Sequence, residues 1–248
     1  MNNYNIGGVQ LKDVITFQTQ IMMGTQFTRV KNAKNANDII IACLRLGWND
    51  AFRHTSENVK EGNKTVLELK SASWNQEHRE KYDDYICSIL GEKAFLDIFL
   101  NYAKANSTKK KIGVIVDNFK TLKNQLKNIK NTEGDKQLCF GHYQKMFNIA
   151  LKLYLCLFMC REYLNINVDL FYSEIIDNLA TADCPIDSII LKKLSEKTRN
   201  RKFADYKWSK FGTLKNPIDY YEEAQDEISK LVDGNSNLSF DFSEWGKE

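Results

Sequence analysis

Two residues in this 248-residue chain have the types and settings that nucleophilic and electrostatic chemistry needs. Lys145 stands in CFGHYQKMFNIALKLYL (139–155), at the mouth of a stretch that turns almost wholly apolar. A lysine against a desolvating wall is costly unless it is paired. Desolvation also disfavours its ammonium form and leaves more free amine to attack an electrophilic carbon. The same residue reads equally as an ordinary lysine at a helix start with its head in water. Asp187 stands in DCPIDSIIL (183–191), where Pro185 marks a turn and a helix follows. A carboxylate at or near an N-cap is kept ionised by the positive helix end, and can stabilise a developing cation or help activate an amine or water. Taken singly, Asp187 is a plain cap worth about 1 kcal/mol.

The elements that must position these residues read as helices. Hydrophobic content of 43%, with only Pro185 and Pro217 as proline breakers, favours a folded, mainly helical chain. The pattern predicts a helix over 35–54, capped by Asn37 or Asp38, with Ile40, Leu44, Trp48 and Phe52 on its inner stripe. Residues 78–105 read as two helices broken near Gly91, and 112–130 as one helix with Val116, Phe119, Leu122 and Leu126 facing in. TEGDKQL (132–138) reads as a loop, 141–164 as a long buried helix, and 168–180, 184–199 and 216–232 as further helices. The stretch 62–74 fits a short strand or a helix start. The expected division is an N-terminal helical part (1–110), a catalytic part (111–235) and an acidic, frayed tail (236–248).

The basic residues are unevenly spread although the net charge is only +3. Residues 109–136 hold eight lysines, and 190–215 hold nine basic residues against Glu196 and Asp205. This arrangement suits a polyanionic partner, although a charge run is also what a solvated helix face looks like. RNRKFADYKW (199–208) mixes basic and aromatic residues, as phosphate contact and base stacking require, while Trp208 and Phe211 also suit plain helix packing.

Other chemistries find less support. The six cysteines form no C-x-x-C pair, and Cys156 and Cys160 read as buried thiols, so a reducing cytosol without disulfides is expected. Met1–Gly8 is polar, unlike a secretory signal, and Leu153–Cys160 is far too short to span a bilayer. His54, His78 and His142 are too scattered for a zinc site, and no phosphate-binding glycine motif occurs, so neither metal nor cofactor is expected. Asp50, followed by Glu68 and Lys70, is similar to the Asp…Glu-x-Lys pattern of metal-dependent nucleases, but that pattern needs strands and Asp50 reads as mid-helix.

Together, GHYQKMFNIAL and CPIDSIILKKL resemble the core of the helix-hairpin-helix DNA glycosylase superfamily, most nearly its 8-oxoguanine glycosylase-like branch. In that family a Gly-rich turn leads to Lys, with Asn or Asp three residues on and then an apolar helix. A Pro-Val-Asp segment follows before a basic helix. Lys145, Asn148 and Asp187 match those positions. Tyr143 replaces the second hairpin glycine, Met146 and Phe147 replace small residues, and no histidine follows Asp187-Ser188. The Lys145-to-Asp187 spacing of 42 is long for the family, so an additional helix must fit between them. No cysteine follows Cys184, which excludes the iron–sulfur cluster of some relatives. The resemblance implies an all-α fold of two helical halves with a cleft between them. It also implies excision of a damaged or modified base, in repair or in defence against modified phage DNA, with or without strand cleavage. Lys145 would be the nucleophile and Asp187 its electrostatic partner. Gly141, His142, Gln144, Lys192, Lys193, Arg199 and Arg201 would contact DNA. The expected partner is double-stranded DNA with a flipped base, bound by a cytoplasmic monomer. The competing class is a non-enzymatic helical module that binds nucleic acid or protein.

Overall fold

The computed structural model describes residues 5–10, 25–52, 76–125, 139–210 and 217–244. It is all-α apart from one small hairpin, β1 (Asn5–Ile6) and β2 (Val9–Gln10), turned by Gly7 and Gly8 at positive φ. The Gly7 carbonyl accepts from both the backbone N–H and the hydroxyl of Ser236, which ties the hairpin to a segment far along the chain.

Helix α1 (Thr25–Lys31) leads into α2 (Ala36–Phe52). The cap of α2 is Asn35, two and three residues before the expected candidates Asn37 and Asp38. Its side chain accepts from the Asp38 N–H, while the Asp38 carboxylate accepts from the N–H groups of Asn35 and Lys34. That reciprocal pairing satisfies donors that a helix start otherwise leaves open. The stripe of Ile40, Leu44, Trp48 and Phe52 is fully buried, as its spacing predicts.

Helices α3 (Gln76–Gly91) and α4 (Lys93–Lys104) break at the expected place. The helix expected over 112–130 is two, α5 (Thr108–Asp117) and α6 (Phe119–Gln125), broken at Asn118, whose side chain bonds back to the Val114 carbonyl. Val116 is exposed rather than inward-facing, because Ile112 and Ile115 take the buried face of α5. Helix α7 (Phe140–Met159) runs through the middle of the core, and α8 (Arg161–Leu164) follows after a kink at Cys160. The helix expected over 168–180 is a short α9 (Ser173–Asn178) between two 3₁₀ turns. Then come α10 (Ser188–Thr198), α11 (Lys202–Asp205), a 3₁₀ turn at Trp208–Lys210, α12 (Pro217–Leu231) and α13 (Leu238–Glu244).

The expected boundary between residues 110 and 111 falls inside α5, and one continuous apolar cluster runs from Val9 to Phe242. The central contact joins the expected halves: α2 lies along α7 so closely that a Cβ on Gly47 would stand 2.3 Å from the Met146 carbonyl oxygen. The stretch expected to fray after Gly234 instead folds over 238–244. Leu238, Phe240 and Phe242 are buried there, and Asp241 pairs with the buried Lys152 of α7. Acidic composition masked an amphipathic turn. The described cysteines form no disulfide, and Cys156 and Cys160 are buried as expected. Among the described residues no helix is long and apolar enough to cross a membrane.

Candidate functional site

Lys145 lies in the second turn of α7 rather than at its first residue, and it is 4% exposed. Its head is therefore not in open water. Nζ stands 2.8 Å from Oδ2 of Asp50 and 3.3 Å from Oδ2 of Asp187, and 4.9 Å from the centre of the Trp208 ring. The Lys145–Asp187 pair expected from the sequence is thus in direct contact. The Lys145 ammonium lies between two carboxylates, groups whose charge can stabilise a cation forming beside them.

Asp187 is the N-cap of α10. One carboxylate oxygen accepts from the N–H groups of Ile189 and Ile190, at 2.9 and 3.0 Å, which leaves the other to face Lys145. The loop that delivers Asp187 is held by two buried glutamines. The Gln144 amide donates to the Ile186 carbonyl and accepts from the Ile186 N–H, and Gln225 does the same for Cys184. Gln144 precedes Lys145 on α7, so one turn of helix fixes both the lysine and the loop carrying its partner. Asn148 donates to the Tyr221 hydroxyl and accepts from the Tyr102 hydroxyl. It supports the core beneath the site and does not enter it.

Around the lysine lies an aromatic wall. The His142 ring stacks on Phe52 at 5.5 Å and meets Trp208 edge-on. The Cys139 N–H donates to His142 Nδ1, so in the neutral ring the proton sits on Nε2. Burial, with the Lys145 charge adding to it, holds the imidazole down at about 4, so it is neutral near pH 7. Burial likewise pushes the Cys139 thiol up to about 11, and the protonated thiol donates to the Ser209 carbonyl, pinning the turn that carries Trp208.

The residues expected to touch DNA divide into two groups. Gly141, His142 and Gln144 are buried, and Gly141 is the second residue of α7 rather than part of a hairpin preceding it. His142 and Gln144 are hydrogen-bonded within the protein, so a phosphate contact by either would need these bonds to rearrange. Lys192, Arg199 and Arg201 are exposed, and Lys193 is half-buried, along α10 and the approach to α11. Arg199 is the left-handed C-cap of α10 and Arg201 precedes α11, so both lie at helix ends with open side chains. Glu68, Lys70, His54 and Phe211 lie outside the described residues. Among the described residues no group of His, Cys, Asp and Glu has metal-holding geometry.

The residue that sequence reasoning missed is Asp50. It stood in the nuclease-like pattern, near the C-terminal end of a helix far from Lys145 in sequence, and only the close α2–α7 packing reveals its role. A separate cavity of about 380 Å³ opens beside Asp183, Glu222 and Asp226 and does not include Lys145. At its floor Asp183 accepts from Thr108 and Tyr221 and faces the buried Lys111, so its charge is already matched.

Compared with protein-family models, with curated proteins and with solved structures, the chain finds no match.

Proposed function

We propose that this protein excises a damaged or modified base from duplex DNA in the manner of a DNA glycosylase, with Lys145 attacking the sugar C1′ and Asp187 stabilising the cationic transition state. The observation that carries the reading is the 3.3 Å contact between a nearly buried lysine and a helix-capping carboxylate, reached across the long intervening sequence. A structural ion pair needs neither a second carboxylate on the lysine nor side chains left half-open, yet Asp50 and Asp187 keep 34% and 22% exposure. Capture of a flipped nucleotide requires both features, since the sugar must reach the amine from outside. The exposed Lys192, Arg199 and Arg201 supply a basic edge on the helix that Asp187 caps, suited to phosphates flanking that nucleotide. Attack by Lys145 would link protein to sugar, and elimination from that adduct would cut the strand.

Borohydride reduction in the presence of duplexes carrying varied modified bases tests the proposal. A covalent adduct that disappears in Lys145→Gln supports it. If no duplex in the panel is trapped or loses its base, the second reading is preferred. That reading is a non-enzymatic nucleic-acid-binding module, favoured by Trp208 lying over a lysine that already has two partners.

A further inference from the structure

Lys145 has two carboxylate partners where a nucleophile and its electrostatic partner need only one. The two are held differently. Asp187 has one oxygen committed to the α10 cap, and its charge is what the developing sugar cation needs. Asp50 makes the shorter contact, 2.8 Å, and its side chain is the more open, with 34% exposure. It comes from α2, whose distance from α7 is fixed by Gly47 against the Met146 backbone, one residue from Lys145. We infer that Asp50 is the proton acceptor of the site, the group that converts the Lys145 ammonium into the attacking amine. The inference rests on the glycosylase reading and assigns a catalytic group to it.

Lys145–NH₃⁺ gives a proton to the Asp50 carboxylate, leaving a neutral amine and a carboxylic acid. The amine lone pair forms the N–C1′ bond while the bond from C1′ to the base breaks, and the base leaves with that electron pair. The leaving base takes its proton from the Asp50 acid through solvent, to which this side chain is open, and the carboxylate is regenerated. The protonated amine on C1′ then passes its proton by way of Asp50 to the ring oxygen. The C1′–O bond opens, and a protonated imine to Lys145 remains. Asp187 stays ionised throughout. The contacts of His142 are consistent with this division, because its Nδ1 already accepts from Cys139 N–H and is not offered to Lys145.

The test measures single-turnover borohydride trapping from pH 5 to 9 on two probes: a duplex with one abasic site, which needs the amine but no base loss, and a duplex with 8-oxoguanine. Wild type, Asp50→Asn, Asp50→Glu, Asp50→Ala and Lys145→Gln are compared, with melting temperature and DNA affinity recorded for each. Loss of a general base costs about 10²–10⁴ in rate. Asp50→Asn should therefore trap at least about a hundredfold more slowly at neutral pH, and its rate should climb tenfold per pH unit as hydroxide takes over. Asp50→Glu should keep part of the rate, and formate should partly restore Asp50→Ala. Removing a carboxylate that merely held the ammonium would instead free the amine, so an Asp50→Asn rate equal to or above wild type overturns the inference. An absence of rescue in a folded Asp50→Ala would do the same. Failure of wild type to be trapped on either probe, or trapping that survives Lys145→Gln, would overturn the glycosylase reading and this inference with it. A trapped wild type with an unaffected Asp50→Asn overturns the inference alone.

Discussion

The side-chain amide of Gln144 grips both backbone polar groups of Ile186, donating to its carbonyl at 2.8 Å and accepting from its N–H at 3.2 Å. Helix α7 thereby supplies the loop before Asp187 with the partners that a neighbouring strand would give. The lysine that follows Gln144 and the aspartate that follows Ile186 are locked in one register.

Gln144→Leu is close in volume but removes this grip. Two buried backbone groups would lose their partners, and each such loss costs about 1–3 kcal/mol. We expect a lower melting temperature and a loss of base release larger than the loss of DNA affinity, because Asp187 is released from its place. Thermal melts and single-turnover assays on the same preparations check this. Base release unchanged from wild type would show that the grip does not position Asp187.

Lys145 and Asp187 should separate in their effects. Lys145→Gln should abolish trapping. It should also lower stability, since both carboxylates lose the cation they share. A lysine head in water, as the sequence alone allowed, would have made that change nearly silent. Asp187→Asn keeps a capping oxygen, so folding should survive while base release falls by about 10²–10³, the usual effect of removing one preorganised electrostatic group. Asp187→Ala should add a stability loss of about 1 kcal/mol from the missing cap. Chemical denaturation and base-release rates distinguish the three variants.

The exposed basic residues on and after α10 predict salt-dependent DNA binding. Each phosphate-contacting charge removed from Lys192, Arg199 or Arg201 should lower the slope of log affinity against log salt by about one. Titrations at several salt concentrations measure it. Charge reversal of all three without effect would mark this edge as a solvated face.

His142 predicts a pH dependence of stability. Its folded-state value is held down to about 4 against an ordinary value of 6.5, chiefly by burial. Between those values the unfolded chain binds the proton and the folded chain does not. Stability is therefore full above pH 6.5 and falls as the pH drops toward 4, by up to about 3 kcal/mol at 1.36 kcal/mol per unit. Denaturation midpoints measured from pH 7 to pH 4 should fall less steeply in His142→Phe than in wild type. Equal slopes would show that other groups govern the acid limb.

The all-helical architecture was legible because cap chemistry, apolar periodicity and turn residues are local signals, whereas the Lys145–Asp187 pairing was expected only from the resemblance of the two segments to a known family. Asp50 was not legible as a partner. Its position depends on Gly47 meeting the Met146 backbone, and nothing within either helix announces that approach. Val116 was misplaced because the stripe was extended back from Phe119 and Leu122 by helical spacing, whereas α5 buries Ile112 and Ile115. The tail was misread because its acids outweigh Phe240 and Phe242 in composition, while the buried Lys152 that Asp241 matches lies far upstream. Gly141 looked like a hairpin glycine only because the start of α7 could not be fixed from spacing alone.

The pairing of Lys152 with Asp241 has a consequence for biosynthesis. Lys152 leaves the ribosome inside an apolar helix, and the carboxylate that neutralises it is translated much later, on α13. Until that helix emerges and docks, the nascent chain lacks the Asp241 contact on Lys152, a residue two turns along α7 from Lys145. A translation product halted before α13 would keep every residue of the Lys145 cluster and yet lack the closure that lets α7 settle. The last helix to be synthesised among the described residues therefore supplies a buried charge partner to the helix that carries Lys145.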